Sequence, residues 1–171
     1  DAPPRSIAAL WDPRNRGKVL VYNSGSHNFS LAAQMLSKAS PFRLDDADWQ
    51  PAVERLIARL ESRAKDKVFT HLFDRYAPEL VPGPAGRVLE VGCGTGATLR
   101  ALAGRPDFAG RAVGVDQSAE FIAAARKFAA SESFADQVAF DVGDAHDLAF
   151  PDASFDIVFA HGAQYGTTIM E

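Results

Sequence analysis

The sequence predicts an α/β fold built on a doubly wound, mostly parallel sheet, and three observations point to it. From Arg87 onward, short apolar segments alternate with segments of helical periodicity, which is typical of parallel strands joined by right-handed crossovers. The first strand runs into a glycine-rich turn that opens a helix. Acidic residues and a histidine follow the later strands at their carboxyl ends, where open parallel sheets bind ligands.

The chain before Arg87 predicts an extension of mainly helical character. A strand candidate lies at 18–22, between turn-forming residues, and a helix is expected over 31–39. Asp48 is expected to cap a second helix that holds Pro51 in its first turn.

A third helix is expected over 65–76, with an apolar stripe of Val68, Phe69, Leu72 and Phe73. Prolines at 78, 82 and 84 end it and predict a joint in the chain. The sequence therefore divides into an N-terminal extension with a helical cap at 1–76, a linker at 77–86 and an α/β domain at 87–171.

The motif R-V-L-E-V-G-C-G-T-G at 87–96 is the centre of the predicted domain. Its apolar residues form a buried strand, and its three glycines turn the chain tightly into the next helix. The same spacing satisfies the loose G-x-G-x-x-G/A pattern of dinucleotide sites. Glu90 opposes that interpretation, because a pyrophosphate would bring negative charge close to a carboxylate. A sulfonium and an ammonium, as in S-adenosylmethionine, would be attracted to it.

This motif resembles the first motif of the class I methyltransferases that use S-adenosylmethionine, and the resemblance covers about 65–162. It implies a Rossmann-like fold and a cofactor held by the turn, through Glu90, Gly92, Cys93, Gly94 and Gly96. The side chain of Cys93 is interpreted as a small group that fits the turn, because the sequence assigns no base beside it.

The second strand is expected over 111–115 and ends at Asp116, before a helix over 119–130. At this position a carboxylate binds both ribose hydroxyls in dinucleotide and methyltransferase sites alike, so it does not separate the two classes. Gln117 is expected beside the adenine or the ribose. An aspartate that only supports the start of the following helix is the alternative.

The third strand, at 138–142, leads into a segment at 143–158 that resembles the second and third signature regions of small-molecule methyltransferases. The resemblance implies that Asp144 accepts a hydrogen bond from the adenine amino group and that the backbone N–H of Ala145 binds a ring nitrogen. His146 is placed beside the adenine. A polar turn without a ligand is the alternative for these three residues.

The fourth strand is expected over 156–160, with Asp156 fixing its start, and His161 follows it. His161 is the candidate catalytic residue, since a neutral imidazole there could take a proton from a hydroxyl or amine. A histidine at the rim of the site is the alternative. Methyl transfer itself needs no strong base, because the sulfonium is already activated and alignment supplies much of the acceleration.

Composition narrows the class of protein further. The chain has 171 residues, 47% of them hydrophobic, with a net charge of −4 and one cysteine. No Lys/Arg block suggests nucleic acid as a partner, no apolar run reaches the length of a membrane span, and no metal-ligand pattern is seen. The single cysteine fits a reducing compartment, so a cytoplasmic location is expected.

The resemblance ends after the fourth strand, whereas the complete family fold has seven strands. Three explanations are open: a fragment, a chain that pairs its exposed sheet edge with a second copy as a homodimer, or a permuted arrangement in which 18–22 fills the vacancy.

The sequence predicts methyl transfer from S-adenosylmethionine to a small-molecule acceptor by in-line displacement, with S-adenosylhomocysteine as the product. The alternatives are a non-catalytic module that binds an adenosyl ligand or serves assembly, and an NAD(P)-dependent oxidoreductase.

Overall fold

The computed structural model describes residues 46–161, so the predictions for 18–22 and 31–39 lie outside the described residues. The chain divides into two units between residues 58 and 59. Of the first unit, the structure describes part of helix α1 (Asp46–Ala64), where Ala52, Val53 and Leu56 are buried. The rest of the described chain belongs to the second unit.

The second unit is an α/β domain. It continues from α1 through helix α2 (Lys67–Tyr76) and a 3₁₀ helix (Ala77–Leu80) to a series of strands and helices. These are β1 (Arg87–Val91), α3 (Ala97–Ala103), β2 (Arg111–Asp116), α4 (Ala119–Ala129), a second 3₁₀ helix (Ala135–Gln137), β3 (Val138–Val142) and β4 (Ile157–Phe159).

The four strands pair in the order β3-β2-β1-β4, and every pair is parallel. The chain builds outward from β1 to β3 and then returns to the other side of β1 for β4, which is a doubly wound topology. The predicted fold class is confirmed, and within residues 46–161 the sheet has four strands where the complete family fold has seven. The order of the strands reverses between β1 and β4, and such switch points are where parallel sheets bind ligands.

Side-chain alternation along β1 separates two apolar clusters, because successive residues of a strand point to opposite faces. Val88 lies in the main core, with residues of α2, α3 and α4, and Leu89 and Val91 lie in a smaller cluster on the other face. The smaller cluster is covered in the described chain by the loop before β4, through Ala145, Leu148, Phe150 and Phe155. By the same alternation, Glu90 points to the face of the main core.

Helix α1 begins earlier than the sequence predicts. Asp48 lies inside the helix rather than at its cap, and Pro51 is also inside it rather than in the first turn. A proline there removes a backbone donor to the preceding turn. Among residues 46–161, no helix is both long and apolar enough to cross a membrane.

Helix α2 begins at Lys67, with the Asp66 side chain accepting from the backbone N–H of Val68, and its predicted apolar stripe is only half right. Phe73 is buried, but Val68 and Leu72 are 75% and 53% exposed. The helix packs into the main core through Phe73 and Tyr76, and Val68 and Leu72 lie outside this face.

The proline-rich segment after α2 packs into the same core. Ala77 and Leu80 of the 3₁₀ helix are buried in the main cluster with Phe73 and Val88. The boundary of the domains at 77–86 remains a prediction. Asp156, which directly precedes β4, accepts from the backbone N–H of Arg87 at 2.7 Å, and this bond confirms its role at the start of the strand.

Candidate functional site

The candidate site lies at the carboxyl ends of the strands, around the turn that follows β1. Gly92, Gly94 and Gly96 all have positive φ angles, of 71°, 56° and 72°. Only glycine adopts such angles without strain, so the three glycines of the motif explain why the chain turns here. The turn leaves a surface free of side chains beside the switch point.

The backbone N–H groups of the turn bind the end of β2. Gly92 and Cys93 donate to the carbonyl of Val115 at 2.7 and 3.0 Å, and Gly94 donates to the Asp116 carboxylate at 2.8 Å. A dinucleotide site uses such amides to hold a pyrophosphate. These three amides are already hydrogen-bonded within the protein, so they are not available as donors to a phosphate. The turn instead allows a ligand to approach the backbone closely.

Glu90 is the buried acid of the site. It is 1% exposed, paired in register with Gly114 of β2 and Phe159 of β4. Burial raises the pKa of Glu90 well above its ordinary value, a hydrogen bond with Thr98 opposes that rise, and the negative charge of Asp116 adds to it. Its Oε2 atom has no hydrogen-bond partner among the described residues. An unpaired buried carboxyl oxygen is costly, and a cationic ligand group would satisfy it.

Asp116 joins the turn to the start of α4. One carboxylate oxygen accepts from the N–H of Gly94, and the other accepts from the N–H of Ser118 at 2.9 Å. Ser118 itself caps α4 by accepting from Phe121. Each carboxylate oxygen keeps a second lone pair, so the fixed carboxylate is still able to accept from two hydroxyls. Gln117 is exposed beside it.

The predicted adenine residues lie in the loop after β3. The N–H of Gly143 donates to the carbonyl of Asp116 at 3.0 Å, which brings this loop next to the end of β2. Asp144 accepts at one oxygen from the backbone N–H and from Nδ1 of His146, at 2.9 and 3.0 Å. These bonds lower the pKa of Asp144, the backbone bond most. Both side chains are exposed, whereas Ala145 packs against the smaller apolar cluster.

His161 belongs to an aromatic cluster formed with α2. Its Nδ1 lies 3.0 Å from the hydroxyl of Tyr76, whose ring stacks on the imidazole. Phe69 contacts the same imidazole edge to face, and the Arg63 guanidinium lies over Phe69. Burial and, secondarily, the charge of Arg63 lower the pKa of His161. The imidazole is therefore neutral near pH 7.

The thiol of Cys93 is buried and protonated. Cys93 is buried in the main core, and burial, with the charges of Glu90 and Asp116, raises its pKa far above the ordinary value. A thiol held protonated is neither a nucleophile nor a redox sensor. Only the backbone of Cys93 is therefore available to a ligand at the turn.

Glu61 is a site residue that the sequence does not reveal. From the last turns of α1 it accepts from the Thr95 hydroxyl at 2.7 Å and binds the Arg100 guanidinium through both carboxylate oxygens, each at 2.7 Å. Its side chain is only 14% exposed. Glu61 thus fastens the glycine turn and α3 to α1, although its partners lie 34 and 39 residues away in the chain.

The strand order, the glycine turn and the carboxylate at the end of β2 are typical of domains that bind an adenosine-containing ligand at the switch point of the sheet. Comparisons with known proteins indicate which class of ligand-binding domain this is. Residues 88–169 match the family model of a methyltransferase domain. Over this stretch, the resemblance of the sequence to the class I methyltransferases, whose cofactor is S-adenosylmethionine, is confirmed.

Two curated relatives illustrate the match. Ajmaline N-methyltransferase of Rauvolfia serpentina is 38% identical over 73 residues, which are 43% of this chain and 24% of the relative. The 27-O-demethylrifamycin SV methyltransferase of Amycolatopsis mediterranei is 34% identical over 100 residues, 58% of this chain and 36% of the relative. The match thus spans about a quarter of the length of the first relative and about a third of the length of the second.

A solved methyltransferase from Thiobacillus denitrificans, in complex with S-adenosyl-L-homocysteine, is 29% identical with a TM-score of 0.46. The match covers 53% of this chain and 36% of that one.

Proposed function

We propose that the protein transfers the methyl group of S-adenosylmethionine to a small-molecule acceptor, and that residues 87–161 hold the cofactor. The observation that carries this proposal is Glu90, a buried acid whose Oε2 atom lacks a partner among the described residues and which lies two residues before Gly92, the first glycine of the turn. The ammonium of the methionine part is the group that would satisfy it.

The other candidate site residues bind the remaining parts of the cofactor. Gly92 and Gly94 admit the methionine chain because no Cβ blocks it, Asp116 binds the ribose hydroxyls, and Asp144 with the N–H of Ala145 binds the adenine. The bound cofactor supplies an activated methyl group on a sulfonium. The task of the protein is then to hold that group in line with the acceptor atom and to exclude water.

A small molecule is the proposed acceptor. The two relatives reported above are named for methylating ajmaline and 27-O-demethylrifamycin SV, neither of them a macromolecule. The net charge of −4 also gives no support to a nucleic acid substrate. Pairing of the β4 edge with a second copy remains a prediction, and β4 is an end strand of the sheet among the described residues.

Calorimetric titration of the folded chain with S-adenosylhomocysteine tests the cofactor assignment, with NADH as the comparison ligand. We expect saturable binding of S-adenosylhomocysteine, none of NADH, and about 30- to 100-fold weaker binding by Asp116→Asn, since two hydrogen bonds to a charged group are weakened. Asp107→Asn is the matched control, because Asp107 is exposed and pairs with Arg105.

Absence of binding by a chain shown to be folded by circular dichroism would overturn the assignment. Equal binding of NADH would favour the oxidoreductase alternative. Binding of the cofactor without turnover of any small-molecule acceptor would instead point to a non-catalytic module.

A further inference from the structure

Tyr76 is the direct partner of the candidate catalytic residue. Its hydroxyl lies 3.0 Å from Nδ1 of His161, and the two rings stack with centroids 5.4 Å apart. The contact joins residues 85 positions apart and is partly buried. It occupies one of the two ring nitrogens of His161, so only Nε2 is left to meet a ligand.

The chemistry of the two groups sets the direction of this hydrogen bond. Burial and the charge of Glu90 raise the pKa of Tyr76 to about 12, so the phenol keeps its proton at neutral pH. A phenol is a strong donor and a weak acceptor, because its oxygen lone pair is delocalised into the ring, whereas an unprotonated imidazole nitrogen is a strong acceptor. The favoured arrangement is donation from Tyr76 to Nδ1.

We propose that Tyr76 is a positioning residue that fixes His161 as the tautomer protonated on Nε2, and that His161 serves the reaction as a hydrogen-bond donor and not as a general base. In this tautomer the lone pair of Nδ1 accepts from Tyr76 and Nε2 carries the proton, so no free lone pair is left to take a proton from the acceptor. The role of His161 toward the acceptor rests on the proposed function; the state of the ring does not.

The surroundings of His161 agree with a neutral donor. Arg63 on α1 is the positive charge that faces the cluster, and it disfavours an imidazolium. Phe69 on α2 covers the ring edge to face, and Glu90 on β1 acts on Tyr76. Among the charged groups that the described structure places against this pair, none is a carboxylate bonded to the imidazole, which is the usual partner that makes a histidine a stronger base.

The proposal also defines a class of acceptor. A donor at Nε2 suits a molecule that presents an oxygen able to accept a hydrogen bond next to the atom that is methylated. The methylated atom must then be nucleophilic without help from this histidine, as an amine, an enolate or an acidic phenol is. An unactivated alcohol, which has to lose a proton during the transfer, does not fit the site.

Nitrogen-15 NMR of the full chain, labelled at its histidines, measures the tautomer directly. The His161→Gln variant identifies the His161 signals by their absence. We expect, near pH 7 and without any ligand, a protonated Nε2 and an unprotonated Nδ1 that accepts a hydrogen bond. A ring protonated on Nδ1 would overturn the proposal.

The Tyr76→Phe variant gives a second test through the sign of a change. If Tyr76 donates, its bond stabilises the neutral ring, so Tyr76→Phe raises the pKa of His161. If Tyr76 instead accepts from Nδ1–H, its bond favours the imidazolium and the same variant lowers that pKa, which would contradict the proposal. Phe69→Leu is the control: it alters packing on the ring but not the hydrogen bond, and Nδ1 should stay unprotonated.

Failure of this proposal and failure of the proposed function are separable. The NMR result is obtained on the ligand-free chain, and the titration with S-adenosylhomocysteine is independent of the His161 tautomer. A Nδ1-protonated ring in a chain that binds the cofactor would reject the donor role alone.

Discussion

The two loops that we propose to hold the cofactor are built in opposite ways. The turn after β1 is buried and cross-linked: its amides bind Val115 and Asp116, and Glu61 fastens Thr95 from α1. The loop after β3 is exposed and mostly bonded to itself, with Asp144 accepting from the backbone N–H and from Nδ1 of His146.

This difference separates two tasks of a binding site. The turn after β1 is shaped by the fold and is fixed before any ligand arrives, so changes there should affect folding and binding together. The loop after β3 contributes exposed polar groups, and their loss should not change the stability of the fold. Substitutions in the two loops should therefore differ in which property they change.

The largest effect is expected from Gly96→Ala. Gly96 has φ of 72°, and an added Cβ would overlap the ring of Phe140 and lie 3.2 Å from the Cβ of Ala125. Backbone strain of about 1–2 kcal/mol and overpacking of about 1–3 kcal/mol should combine to lower the free energy of unfolding by about 3 kcal/mol.

Gly94→Ala is the matched variant, because Gly94 has φ of 56° but nothing within 4 Å of an added Cβ. It should lose only the strain, about 1–2 kcal/mol. Urea unfolding of both variants measures the difference. Equal losses would mean that Phe140 does not hold the turn.

A smaller effect, with a characteristic pH dependence, is expected from Glu90→Gln. Because burial raises the pKa of Glu90, the folded protein keeps a proton that the unfolded chain releases above its ordinary pKa of 4.5. Stability of the wild type therefore falls as pH rises from that value toward the folded-state pKa. The glutamine variant lacks this penalty, so it should gain stability relative to the wild type as pH increases.

Urea unfolding at pH 5, 7 and 9 follows this gain, with the exposed Glu132→Gln as the control. The same variant should bind S-adenosylhomocysteine at least tenfold more weakly, because the ligand ammonium favours an ionised carboxylate, which an amide cannot become. A stability difference that stays constant with pH would show that Glu90 is ionised in the folded protein.

The sequence predicts the turn after β1 well because its information is local. An apolar strand, glycines at positions of positive φ and an acid at the end of the next strand each have a local cause. Strand β4 is likewise bounded by Asp156, whose carboxylate binds the first residue of β1.

What the sequence misses depends on partners distant in the chain. Glu61 looks like any charged residue of an amphipathic helix until folding places it against Thr95 and Arg100. The sequence predicts that Val68 and Leu72 are buried, but only one face of α2 packs against the main core. The engagement of the turn amides by β2 is also invisible, because it depends on the register of two strands.

The smallest effect is expected from Asp144→Asn, and it decides whether the two loops differ as described. The side chain of Asp144 is 58% exposed, and the asparagine oxygen is still able to accept from the backbone N–H of His146. The free energy of unfolding should therefore not change measurably. Binding of S-adenosylhomocysteine should weaken about threefold to tenfold, because one charged acceptor for the adenine amino group becomes a neutral one.

Calorimetry of this variant beside Asp116→Asn and the exposed control Asp152→Asn ranks the two loops on one scale. A loss equal to that of Asp116→Asn would mean that the exposed loop orders around the adenine and contributes as much as the fixed turn. No loss at all would place the adenine elsewhere, and the loop after β3 would then be a polar turn. The predicted intermediate loss requires both that Asp144 binds the ligand and that its exposure to water weakens the bond, since water competes for the same hydrogen-bonding groups.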